Sequence, residues 1–213
     1  GAFYPMQART LLDENSGDTP RPGSGEANTH PRIGKLVVSE IVHSPSGGAV
    51  DLEFIEVRNT GAVGQSLAEW RIGGDVAFQF QASDILSPGG FLVIVPFPPA
   101  DSVKSGSFRT AHGIPASIPL LGPWTLGHSL GSEGDLVLYR ADTPPADEPD
   151  YYPLLIEDQV RYSSLPPWPD AFDRFSLNRP DAGTLGDDAA SWKLDIASPG
   201  TLGPTYAQWK ECY

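Results

Sequence analysis

Gly127-His128-Ser129-Leu130-Gly131 reproduces the G-x-S-x-G spacing of a serine hydrolase's nucleophile elbow. It is the sharpest chemical pattern in this 213-residue chain. Such an elbow exposes its serine because a strand turns abruptly into a helix, and it takes its acid and then its histidine from residues further along the chain. Here the continuation SEGDLVLYR reads as a strand, and all four histidines, His30, His43, His112 and His128, lie at or before the motif. Ser129 therefore has no downstream base, and neither a hydrolase nor any catalytic residue is expected. Zinc is not expected either, because the chain holds no cluster of His and Cys, and no Gly-rich phosphate loop follows a strand. Asp13-Glu14-Asn15-Ser16-Gly17-Asp18 partly imitates the oxygen spacing of a calcium loop through Asp13, Asn15 and Asp18, but lacks the later glutamate. Calcium is expected there only if that segment is ordered, and no other cofactor is expected. The acidic excursion ADTPPADEPDYYP from Ala141 carries Asp142, Asp147, Glu148 and Asp150, but its prolines stiffen it into extended shapes. A solvated hairpin loop is the expected form.

The elements that must position these groups are strands. Lys35 to Asn59 holds two runs rich in Val, Ile and Phe, separated by the turn-forming Pro45-Ser46-Gly47-Gly48. Alternation along a strand places Leu36, Val38 and Val42 on one face with Glu40, and Leu52 and Phe54 on one face with Glu56. Carboxylates on apolar faces read either as a cation site or as structural groups that cap backbone N–H groups at a sheet edge or pair with Arg58 or Arg71. A buried charge needs partners, so the structural role is preferred. Trp70 and Ile72 come next, and Val76, Phe78 and Phe80 alternate with polar or small residues as a half-buried strand. Ser87-Pro88-Gly89-Gly90 then turns the chain into FLVIV, a central strand that Pro96, Pro98 and Pro99 stop. Residues 100–123 read as a long Ser, Gly and Pro loop carrying His112, since no window of the chain offers a sustained helical stripe. In the next strand Ile156, Val160 and Tyr162 are expected inward, with Glu157, Gln159 and Arg161 outward. Trp168 in the PPWP run is expected to plug one open end of the fold, before a strand begun by Phe175 and Leu177.

These segments carry a family resemblance. VVSEIVHSP, EFIEVRNTG, Leu67 with the Trp70-Arg71 pair, and LSPGGFLVIV resemble the opening of a bacterial lamin tail domain. SLGSEGDLVLYR, VRYSSLPPWP, RFSLNRP and ASWKLDIASPGTLGP extend the likeness in family order over residues 36–204. The resemblance implies an all-β, immunoglobulin-like β-sandwich, generally exported, with no settled activity. Both glutamates match the family pattern without a chemical role.

Gly and Pro together exceed a fifth of the residues, at 23 and 22, which suits short strands joined by many turns. The net charge of −13, with only 14 Lys and Arg, argues against nucleic-acid binding, which depends on neutralising phosphates. No apolar run approaches the ~20 residues of a membrane-spanning helix. No signal sequence stands among these residues, so export implies that one was removed. The expected organisation is an arm over 1–34, a sandwich over 35–205 and a C-terminal extension over 206–213. The arm's Gly, Pro, Ser and Asp content cannot bury enough surface to order itself. Pairing about six of its residues as an added strand costs on the order of 6–10 kcal/mol in backbone entropy. Burying Phe3, Tyr4, Met6, Leu11 or Leu12, at ~1.5–3 kcal/mol each, balances that only in a preformed groove, on its own domain or on a neighbouring copy. Trp209, Cys212 and Tyr213 form a second expected contact, where a lone cysteine stays free or cross-links two chains. The expected function is therefore a non-catalytic extracellular structural subunit, a β-sandwich whose arm docks on a neighbouring copy. The alternative is an accessory module of a secreted hydrolase that binds a polysaccharide or cell surface through loops 100–123 and 141–153.

Overall fold

A computed structural model of the protein describes residues 33–171 and 175–201. In chain order, β1 (Leu36–Val42), β2 (Phe54–Asn59), β3 (Gln65–Ser66), β4 (Arg71–Gly74), β5 (Phe78–Gln79), β6 (Ile85–Leu86) and β7 (Phe91–Ile94) precede the helix α1 (Ser102–His112). After it come β8 (Leu120–Leu121), β9 (Glu133–Ala141), β10 (Leu154–Ser163), β11 (Phe175–Asn178) and β12 (Lys193–Ile196). Six strands form one sheet in the order β12-β11-β1-β2-β7-β8, four form a second in the order β10-β9-β4-β5, and β3 pairs with β6 alone. All pairings are antiparallel except β7 with β8.

The two larger sheets close over one apolar interior. Leu36, Val38 and Ile41, with Ile55, Val57, Leu92, Ile94 and Leu177, come from the six-stranded sheet. Ile72, Leu136, Leu138, Val160 and Tyr162 come from the four-stranded one. This is the expected immunoglobulin-like β-sandwich. Trp168 packs on the same interior, its ring 6.1 Å from that of Trp192.

The structure corrects three expectations. First, residues 100–123 are not a loop throughout, because α1 occupies half of them. Asp101 caps it by accepting from Val103 N and Lys104 N, both at 3.1 Å, and Gly113 ends it at φ 66°, where a side chain would be strained. The helix has no broad apolar stripe and holds to the sheet through Phe108, whose ring meets those of Phe54 at 5.9 Å and Phe97 at 5.8 Å. A second core thus forms on the outer face of the six-stranded sheet, from Val42, Phe54, Val93, Val95, Phe97, Phe108 and Ile114.

Second, β1 does not alternate evenly. Val38 pairs with Val57 but Glu40 with Glu56, so Ser39 is an extra residue, a β-bulge, and the faces exchange there. Leu36 and Val38 share the inter-sheet face with Ile41, whereas Val42 faces the helix. Third, Glu157 is the extra residue in β10, since Ile156 pairs with Tyr139 and Asp158 with Leu138. Asp158 is thereby turned inward, and Ile156, expected inside, is 59% exposed.

Candidate functional site

The outward turn at Ser39 brings two carboxyls face to face on inner strands. Glu40 and Glu56 are cross-strand partners, and both are buried. Glu40 Oε1 accepts from Ser176 Oγ at 2.6 Å and from Ser198 N at 2.9 Å. Glu56 accepts from Ser39 Oγ and from Gly200 N, each at 2.5 Å. Gly200 fits at φ 87° against Ile118, whose Cγ1 would lie 2.5 Å from any Cβ placed there. The pair therefore caps backbone N–H groups, as preferred from sequence, but in the middle of a sheet. The caps fasten the turn after β12 across the outer face. Arg58 acts on Glu56 only through its field, and Arg71 stacks over Tyr139 at 5.6 Å.

Burial, reinforced by the Glu56 charge, pushes the Glu40 carboxyl up to about 8, and burial raises Glu56 to about 7 against the N–H of Gly200 and the hydroxyl of Ser39. The pair thus holds at least one proton at neutral pH. Stability contributed by a raised carboxyl is complete below its ordinary pKa of 4.5 and is lost as pH rises through 8. His43 works in the opposite sense: burial lowers it to about 4, so its contribution is present above 6.5 and is lost as pH falls through 4. A stability plateau near pH 5–6 is expected, with the melting temperature falling by about 5–10 °C between pH 6 and pH 9. Glu40→Gln, which imitates the protonated group, should flatten that alkaline decline in a thermal-melt series. An undiminished slope in the variant would contradict the assignment.

The Ser129 motif does not form an elbow. Residues 127–129 are an exposed bend, and the chain passes through buried Leu130 into β9 rather than into a helix. Glu53 Oε2 fixes the bend by accepting from Leu130 N at 2.7 Å, and burial raises Glu53 to about 7. The buried histidines are also committed to packing. His43 stacks on Tyr162 at 5.0 Å, and His112 Nε2 donates to Leu52 O at 3.0 Å while its ring meets Phe108 at 4.7 Å. No group of three or more His, Cys, Asp or Glu among the described residues is placed to hold a metal ion.

A seam joins the sheets where β11 leaves off. β11 pairs with Glu40 and Ile41 only, so the upstream edge of β1 takes its acceptors from the bulge of β10. Lys35 N donates to Glu157 Oε1 at 2.7 Å and Val38 N to Asp158 Oδ2 at 2.8 Å. Arg179 Nη1 donates to that same Asp158 oxygen at 2.6 Å and to Val38 O at 3.2 Å, its Nη2 donates to Thr184 O, and its guanidinium lies over Trp192. Alternation along β10 placed Glu157 outward, and the role of Asp158 and Arg179 could not be read without the bulge.

Two surface features remain for recognition. The first is the β9–β10 hairpin, whose connecting loop 142–153 is exposed as expected. At its return, Tyr151 is 58% exposed and Tyr152 44% on the loop, and Leu155 is 37% exposed and Ile156 59% at the start of β10, an edge strand of the four-stranded sheet among the described residues. The second is a cleft between Ile33-Gly34, Arg58 with Thr60, and the turn 180–183. Phe3, Tyr4, Met6, Leu11, Leu12, Asp13, Asn15, Asp18, Trp209, Cys212 and Tyr213 all lie outside the described residues.

A family model described as Lamin Tail Domain matches residues 29–143. A solved structure of a DUF4876 family protein from Bacteroides thetaiotaomicron is similar at TM-score 0.47 and 12% identity, covering 83% of this chain and 76% of that one. No curated protein matches the chain.

Proposed function

The chain belongs to the lamin tail domain family, and from that premise we propose that it is a non-catalytic extracellular assembly domain, a β-sandwich subunit whose arm, residues 1–34, docks on a neighbouring copy. The observation that carries this reading is the hairpin return. Four large apolar side chains stand exposed within six residues, two on the loop and two at the start of β10, which is an edge strand among the described residues, and such an edge invites pairing with another chain. Strand addition at an edge takes its affinity from main-chain hydrogen bonds and its selectivity from alternate side chains. The arm's Phe3, Tyr4, Met6, Leu11 and Leu12 are the apolar groups available to a neighbour's edge. Head-to-tail docking of this kind closes into a ring or continues as a filament, according to the rotation between copies. Deleting residues 1–30 should convert the assembly into monomers by light scattering. Unchanged mass would remove the arm from the mechanism.

The second reading, a module of a secreted hydrolase that binds a polymer or cell surface, draws on the same hairpin. Tyr151 and Tyr152, exposed beside a proline-stiffened loop, are aromatic faces suited to a sugar polymer. Residues 100–123 contribute less to it than the sequence suggested, because α1 fills much of that span and Phe108 faces the sheet.

A further inference from the structure

We infer that the cleft at Arg58 receives a carboxylate from the 142–150 hairpin loop of a second copy, in a closed two-fold dimer. The cleft encloses about 520 Å³ and lies on the outer face of the six-stranded sheet, beyond the part that α1 covers. Arg58 is half-buried in its wall and held over the Phe91 ring at 5.6 Å. Its Nε has no hydrogen-bond partner, and no described residue accepts from its terminal nitrogens. Other arginines of the body are engaged: Arg140 with Glu157, Arg161 with Asp187 and Arg179 with Asp158. In a chain of net charge −13, a half-buried guanidinium without an acceptor is a site for an anion. Asp181 stands at the rim, but it is exposed and its Oδ1 accepts from Gly183 N at 2.8 Å. Gly34, Ala182 and Gly183 keep the walls low enough for an extended backbone to lie against them.

Charge and continuity identify the occupant. Asp147, Glu148 and Asp150 are exposed on a loop already shaped by turns, with Glu148 N bonded to Pro145 O and Tyr151 N to Glu148 O, both at 3.0 Å. The strand that leaves the loop also reaches the wall of the cleft in its own copy. Gly34 packs directly on the Glu157 side chain, whose neighbours Leu155 and Ile156 are exposed. A surface holding both an acidic projection and a basic recess, joined by an apolar strip, is self-complementary about a two-fold axis. This inference rests on the self-association proposed above but not on the arm.

Sedimentation velocity of the full chain at low salt tests it. A concentration-dependent dimer is expected, weakened about tenfold or more by Arg58→Gln and by the triple substitution Asp147→Asn, Glu148→Gln, Asp150→Asn, with the far-ultraviolet circular dichroism of each variant unchanged. Combining the two changes should weaken it no further than either does alone, since both remove one contact. Strictly additive losses, a dimer indifferent to Arg58→Gln, or a wild-type monomer at 100-micromolar concentration (about 10⁻⁴ M) would each overturn it. Deletion of residues 1–30 separates the two readings. If the deletion leaves an Arg58-dependent dimer, the cleft stands and the arm fails. If it dissolves an association that Arg58→Gln leaves intact, the arm stands and the cleft fails.

Discussion

Asp158→Ala is expected to destabilise the domain by about 3–5 kcal/mol, the cost of leaving a buried partner charge uncompensated. Arg179 is fully buried, and it reaches Asp158 at 2.6 Å while also serving Val38 O and Thr184 O. The substitution would strand the guanidinium and also the Val38 N–H, which has Asp158 as its acceptor at 2.8 Å. Burial pushes the Asp158 carboxyl up, while Arg179 and the Val38 N–H oppose that shift. Urea titration should show a large fall in midpoint at unchanged slope. Asp187→Ala, which breaks the exposed pair with Arg161, should scarcely move the midpoint. Similar losses in the two variants would mean that the seam between β1 and β10 does not depend on its ion pair.

Phe108→Ala is expected to cost about 3–5 kcal/mol, in the range measured for truncating a buried aromatic. Phe108 is the buried residue of α1, so this loss falls on the helix before the sandwich. The rest of α1 is poorly suited to standing alone: SVKSGSFRTAH contains a glycine and three serines, and eleven residues are too few for a stable isolated helix. Amide exchange across residues 102–112 should accelerate far more than exchange in β1 or β2. Uniform acceleration throughout the chain would instead make the helix and both sheets one cooperative unit.

The sandwich was legible because its strands carry dense apolar alternation between turn residues. Val76 and Phe80 are buried as the period of two requires, and FLVIV lies between two neighbours in its sheet. The helix was hidden because a single anchoring phenylalanine leaves no stripe to detect. Its boundaries were nevertheless written in Asp101, a strong N-cap type, and Gly113, twelve positions later. The bulges were harder still, since an extra residue leaves composition and periodicity intact on either side and only shifts the phase between them. Ser39 and Glu157 show this: one moved Val42 to the other core, and the other exposed Ile156. The acid pair was visible as two glutamates on apolar runs, but its partners Ser198 and Gly200 lie about 150 residues away, beyond any local pattern. The Arg58 cleft had no signal of its own, because its walls come from three separated segments.

The extra residue at Ser39 also determines which genetic changes β1 can survive. Exchanging that serine for another small side chain forfeits one hydroxyl contact, a modest lesion. Losing its codon would remove only the bulge: Val38 and Glu40 would become consecutive opposite Val57 and Glu56, so Glu40 would stay on the outer face and Ile41 between the sheets. Position 39 is therefore a place in β1 where losing a residue would restore regular alternation instead of reversing it.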